Sequence, residues 1–229
     1  MPLDQSSPRS RHLRRVHHER DVDPRAALVH RSRLLDRHAW DDLIRRRHLV
    51  PLTNVVARVA DSAATPGLRA HALSEHCPPG AVIGDTSAAW IRYADIGSKL
   101  AGLIPKDASI KHWREIHRGP VTCLYPAART RPIVRSTMDC SLRQTRFRAG
   151  DLQQVKSSLG KPLLVTSPER TVLDLLCVVR GSAIFAALSA FQNDGVDLNA
   201  VAQRLESMQR WRGRLQGIAT LEAFRYWNG

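Results

Sequence analysis

Long apolar runs are missing from this chain, and no stretch approaches the ~20 residues a helix needs to cross a bilayer. Its start, Met1-Pro2-Leu3-Asp4 followed by arginines and histidines, has no apolar segment of the kind a secretory signal carries. A cytoplasmic protein with no membrane partner is therefore expected. Cysteine is scarce. Cys77, Cys123, Cys140 and Cys177 include no C-x-x-C pair, which argues against a zinc knuckle or a dithiol motif. In a reducing compartment such residues serve as small buried hydrophobes rather than disulfides. The ten histidines give no H-x-x-x-H pair on a helix with acids to support it, so no metal site is expected. A glycine-rich phosphate loop and a Ser/His/Asp arrangement are also missing, and no cofactor is expected.

One constellation comes close to catalytic spacing. A nucleotidyltransferase needs Gly-Ser, about a dozen residues, and then two acids on one strand face to hold magnesium. Gly181-Ser182 and Asp194 match, but the next acid is Asp197, three positions on rather than two. Side chains three apart do not share a strand face, and the intervening 183–188 reads as core helix. There is also no Asp…Glu-x-Lys set of the kind a nuclease uses. No catalytic residue is assigned.

What the chain does have is basic charge. Its formal net charge is +14 over 229 residues, carried by thirty arginines and only five lysines. Arginine is the better fork for phosphate and for guanine edges. Residues 1–60 hold thirteen arginines against seven acids, and 61–150 hold thirteen basic residues against seven. Residues 151–229 are nearly balanced, with nine against seven. The basic field therefore lies in the first two thirds and points to nucleic acid there.

The chain reads as α+β in two parts. Residues 1–22 form a basic, flexible arm. Asp23-Pro24 opens a helix, Ser32 caps a short helix containing Leu34 and Leu35, and a third helix runs over 39–47 with Trp40, Leu43 and Ile44 on one face. The segment 48–59 has strand composition around Thr53-Asn54. Three short helices and a small hairpin over 23–62 follow the order of a winged helix-turn-helix. Residues 61–67 read as a linker to a second domain, 68–229. There a helix over 68–77 precedes a strand at 81–84, and Asp85, Thr86 or Ser87 caps the next helix. The runs 121–125 and 133–135 suggest an antiparallel sheet. Helices follow at 183–191 and, capped by Asn199, around Val201, Leu205 and Met208.

The stretch 160–176 carries the clearest local signature, Gly-Lys-Pro-Leu-Leu-Val-Thr-Ser-Pro-Glu-Arg-Thr-Val-Leu-Asp-Leu-Leu. Thr166 or Ser167 can cap a helix whose first turn holds Pro168 and Glu169. Val172, Leu175, Leu176 and Val179 recur at helical spacing and form a buried face. Arg170 and Asp174 fall on the opposite face one turn apart, as a self-paired surface couple or part of a partner surface.

Taken in order, the segments 32–35 (Ser-Arg-Leu-Leu), 43–50 (Leu-Ile-Arg-Arg-Arg-His-Leu-Val), 68–73 (Leu-Arg-Ala-His-Ala-Leu), 80–90 (Gly-Ala-Val-Ile-Gly-Asp-Thr-Ser-Ala-Ala-Trp) and 160–176 resemble the AbiEi family. These are the antitoxin-and-repressor components of type IV toxin–antitoxin systems. The resemblance covers most of residues 25–180. It implies a winged helix that binds operator DNA and a mixed α/β C-terminal antitoxin domain that counters a nucleotidyltransferase-like toxin; a homodimer on the DNA is a further partner expectation. The motif residues Thr166, Ser167, Glu169, Arg170 and Asp174 are then the candidate partner surface. Two departures bear on function: the hairpin ends Val55-Val56-Ala57-Arg58-Val59 rather than in a Gly-Val-Tyr-like run, and Asp36-Arg37-His38 replaces a glycine-containing turn.

On the third helix the solvent face holds Asp41, Asp42, Arg45 and Arg46, with Asp41–Arg45 and Asp42–Arg46 spaced for pairing. Arg45 and Arg46 are the candidate base readers. Arg31, Arg33, Arg37, His38, Arg47 and Arg58 complete the DNA-facing set, the arginines meeting phosphate. A toxin-neutralising module without DNA binding and a nucleic-acid enzyme are the alternatives.

Overall fold

The computed structural model describes residues 27–34, 36–100, 116–117, 119–135, 139–156 and 162–228. The expected arm, the helix start at Asp23-Pro24 and Leu35 lie outside them, as does the side chain of Arg37. Leu28 and Val29, read as the apolar part of that first helix, instead form a strand paired with Arg58 and Ala57.

The chain is α+β, built on two sheets. The first is antiparallel, with β1 (Leu28–His30), β2 (Leu49–Pro51) and β3 (Val56–Val59) in the order β1-β3-β2. A 3-10 turn (Arg31–Arg33) and helix α1 (Arg37–Arg45) lie between β1 and β2. The short helix expected around Leu34-Leu35 is thus a single tight turn ending at an extended Leu34, with the His30 side chain accepting from Ser32 N–H. Asp36 caps α1 by accepting from His38 N–H at 2.9 Å. The predicted indole face seats the helix: Trp40 packs with Leu49 and Ala57, flanked by Val29, Leu43, Ile44 and Val59.

The second sheet is mixed. It contains β4 (Val82–Ile83), β5 (Val121–Pro126), β6 (Cys140–Thr145), β7 (Leu152–Lys156) and β8 (Pro162–Thr166), in the order β6-β5-β4-β8-β7. β5 runs parallel to β6 and β4 parallel to β8, so the expected all-antiparallel sheet is corrected. The apolar pair at 133–134 is not in a strand. Ile133 is 85% exposed, and the partner of β5 is the less apolar 140–145. Helices α2 (Pro66–Ser74) and α3 (Asp85–Arg92) cover this sheet through Leu68, Leu73, Trp90 and Ile91. Ala27, Leu52 and Val56 from the first sheet join the same cluster, and His30 Nε2 meets Glu75 Oε2 at 2.9 Å. The 61–67 segment is therefore a turn between packed parts, where Thr65 caps α2 and Pro66 starts it.

A second core is helical. It joins α4 (Ala94–Leu100), α5 (Pro168–Val178), α6 (Ala183–Asn193), α7 (Leu198–Ser207) and α8 (Arg214–Asn228). Ser167 caps α5 by accepting from Arg170 N–H, while Thr166 turns inward to the Thr171 hydroxyl at 2.7 Å. Asp197, rather than Asn199, caps α7. The sequence reading also missed α8, whose sparse apolar residues bury only Gly217, Leu221 and Phe224. Among the described residues, no helix is long and apolar enough to cross a membrane.

Candidate functional site

Burial of Trp40 turns the opposite face of α1 outward. The side chains of Arg45 and Arg46 are 75% and 68% exposed. The expected ladder of two separate pairs is not what forms. Asp42 holds both arginines, Arg45 Nη2 at 3.1 Å and Arg46 Nε at 2.7 Å, so Asp42 rather than Asp41 partners Arg45. Exposed pairs of this kind are worth only ~0.2–1 kcal/mol and open readily to a phosphate.

The helix ends in a tight C-terminal motif, with Arg47 N–H donating to Ile44 O and His48 N–H to Leu43 O. That closure requires a left-handed residue, a role glycine fills without strain. Here it is Arg47, at φ 62 and exposed. A side chain in this region costs ~1–2 kcal/mol. Arg33 and His38 are also exposed, and Arg31 is half-buried on the 3-10 turn. Arg58 departs from the expected set. It is buried, and its Nη1 donates to the carbonyls of Ala60 at 2.9 Å and Ser62 at 2.8 Å, which clasps the end of the hairpin.

A second cluster of charge lies inside the larger body. Arg170 is fully buried. Its Nε donates to Asp174 Oδ2 at 3.0 Å, Nη1 to Asp151 Oδ2 at 2.8 Å and to Arg146 O at 2.9 Å, and Nη2 to Thr145 Oγ1 at 2.8 Å. The rings of Phe147 and Trp211 lie 5.3 Å and 5.1 Å from the guanidinium carbon. Arg204 forks onto the other side of Asp151, and Arg143 Nη2 joins Asp85 at 2.9 Å and Asp174 at 3.6 Å. The surface couple expected of Arg170 and Asp174 is thus corrected. They do lie opposite Val172 and Leu176, but the loop 145–151 covers that face.

Each charge in the cluster is tuned by its surroundings. Burial, then the neighbouring Asp174, pushes Asp85 up to about 6 against the pull of Arg143. Asp85 also carries a left-handed backbone, at φ 50. Burial likewise raises Asp174 despite Arg170. Asp151 goes the other way: burial raises it, but hydrogen bonds from Arg204 and the Arg148 N–H together outweigh that and lower it. The Arg170 guanidinium resists burial, its two carboxylates holding its pKa above the usual value. Every carboxylate faces a guanidinium, so the cluster locks strand ends, loop and α5 together. Among the described residues no group of acids, histidines and cysteines is placed to hold a metal.

Two further arrangements bear on catalysis. Ser87 Oγ lies 3.0 Å from His117 Nε2 and accepts from Thr122 N–H at 2.9 Å. Both side chains are buried, and burial, then His76, lowers His117 to about 4, keeping the ring neutral. Ser87 thus ties α3 both to His117 and, through Thr122, to β5. The near-miss acids separate, Asp194 ending α6 and accepting from the Tyr93 hydroxyl while Asp197 caps α7. The sequence reading missed Asp85, Arg143, Asp151 and Arg204. The one local signal was a charged i, i+4 pair inside the apolar run 171–177.

No family model matches this chain, and no curated protein does.

Proposed function

We propose that this chain is a DNA-binding transcriptional regulator of the AbiEi antitoxin type it resembles, acting by binding rather than catalysis. The observation that carries the reading is the first sheet. A strand, a tight turn, a helix and a two-stranded hairpin close in the order β1-β3-β2, with α1 presenting Arg45, Arg46 and Arg47 outward. That is the strand order of a winged helix, in which the helix before the hairpin enters the major groove. Arg33 and His38 flank it on the same unit. Arg47 adds support: a long cation occupies a position where glycine would be more stable, and retained strain of this kind marks functional positions. The larger body, nearly balanced in charge over residues 151–229, is assigned to a partner, a nucleotidyltransferase-like toxin, and the regulator binds its operator as a homodimer in the cytoplasm.

Replacing Arg47 by glycine separates binding from folding. The variant is expected to gain ~1 kcal/mol of stability and to bind the duplex upstream of its own gene more weakly, with a salt slope shallower by about one ion. Fluorescence anisotropy across a salt series and urea melts measure both. Unchanged affinity and slope, repeated for Arg33→Ala and Arg46→Ala, would remove DNA binding from this face. The second reading, a partner-binding module without DNA, is favoured by one feature, the Asp42 carboxylate clamped between Arg45 and Arg46. It predicts no salt-dependent binding to any duplex.

A further inference from the structure

Three of the four cysteines meet where α2 ends against the sheet. Cys77 follows α2, Cys123 lies in the middle of β5, and Cys140 opens the neighbouring β6, two positions along on the same face. The Cys123 thiol donates to Cys77 Sγ, with the sulfurs 3.4 Å apart and both thiols free. Cys123 is completely shielded from solvent, whereas Cys77 is half-buried and the more accessible of the two. His76 Nδ1 accepts from Asp139 N–H at 3.4 Å, which joins the residue before Cys77 to the residue before Cys140.

We infer that Cys77 and Cys123 form a peroxide-reactive thiol pair, with Cys77 the attacking and Cys123 the resolving sulfur, and that oxidation closes a reversible disulfide between α2 and β5. The direction follows from access and from the hydrogen bond. A donor aimed at Cys77 favours its thiolate, and the Cys77 pKa lies below the ordinary thiol value chiefly through that bond. Cys140 is raised, by burial first and then by the nearby Cys77, so it is the poorer nucleophile. In the first step the Cys77 thiolate attacks one oxygen of hydrogen peroxide. The S–O bond forms, the O–O bond breaks, and hydroxide leaves and takes up a proton, so that peroxide is reduced and sulfur oxidised to the sulfenic acid. In the second step Cys123 loses its proton and attacks that sulfur. The S–S bond forms, the S–O bond breaks, and the departing hydroxide takes the proton to leave as water. Overall, two thiols and one peroxide give one disulfide and two waters. The sulfurs must close from 3.4 Å to about 2.0 Å for the bond to form.

The test is to treat the folded full-length chain with excess hydrogen peroxide, alkylate, and map peptides without reduction. The wild type is expected to lose two alkylatable thiols and yield a Cys77–Cys123 cross-linked peptide, which dithiothreitol restores to two thiols. Cys140→Ser should keep the cross-link, and Cys77→Ser should leave Cys123 reduced. Cys123→Ser should hold Cys77 as a sulfenic acid that dimedone labels. Should Cys123→Ser fail to fold, the wild type and Cys140→Ser decide the matter alone. Four thiols intact after a dose that oxidises free cysteine, or a cross-link between Cys123 and Cys140, would overturn the assignment.

Discussion

Replacing Arg170 by methionine tests whether the inner charge cluster is a lock. The substitution keeps much of the side-chain length but removes hydrogen bonds to Asp174, Asp151, Thr145 and the Arg146 carbonyl. Asp151 keeps Arg204 and the Arg148 N–H, whereas Asp174, fully buried, is left with Arg143 at 3.6 Å. Removing one member of a buried pair costs ~3–5 kcal/mol, because the remaining charge stays desolvated and unmatched. A domain of this kind is stable by ~5–15 kcal/mol, so the loss is about a fifth of the total or more.

The loss also has a pH signature. Asp174 is already raised by burial, and losing the guanidinium that opposes this raises it further. A carboxyl whose folded pKa exceeds its unfolded value stabilises the fold at low pH and loses that contribution as pH rises through the folded pKa. The deficit of Arg170→Met should therefore be smaller at pH 5 than at pH 8. Adding Asp174→Asn should recover ~1–3 kcal/mol at the higher pH, since it removes the orphaned charge. Urea melts followed by circular dichroism at both pH values measure this. A loss below ~1 kcal/mol that is the same at both pH values would mean that the pair behaves as an exposed one, and the reasoning would fail.

Other substitutions probe neighbouring features. Asp85, raised to about 6, contributes stability below pH 4 that disappears as pH climbs through 6, a span worth ~3 kcal/mol. Asp85→Asn, which also tolerates the left-handed backbone, should lack that decline and gain on the wild type between pH 4.5 and 7.5; parallel pH curves would refute this. Gly213→Ala should cost ~2 kcal/mol or more in a thermal melt, because φ is 82 and the new methyl group meets the Cys177 carbonyl. Ser167→Ala should cost ~1 kcal/mol through the lost cap on Arg170 N–H, whereas a loss near zero would show that the cap is redundant.

The legible parts of the fold were those written in local chemistry. Ser167 and Pro168 announced the start of α5, whereas Thr65 and Pro66, read as part of a linker, in fact start α2. The spacing of Trp40, Leu43 and Ile44 gave the seated face of α1 correctly. Strand partners were not legible in the same way. Ile133 and Val134 have better strand composition than Ser141 and Arg143, yet the latter pair with β5, since pairing depends on what lies opposite across the sheet. Of the residues named in advance for the proposed DNA face, Arg58 is instead buried, because its acceptors are carbonyls that only the turn at 60–62 brings together.

The sequence by itself determined where α5 begins, which side of α1 carries arginine, and that the basic charge belongs to the first two thirds of the chain. It also placed Arg170 and Asp174 one turn apart and opposite the apolar stripe of α5. Whether that opposite side met water was decided by tertiary structure alone. Periodicity fixes the direction of a side chain around its own axis, not what comes to rest on it. The loop carrying Thr145, Phe147 and Asp151, with Arg204 and Trp211 from beyond α6, closes over the second face. The same packing carried Cys123 to within 3.4 Å of Cys77, 46 residues away, a proximity no local spacing encodes.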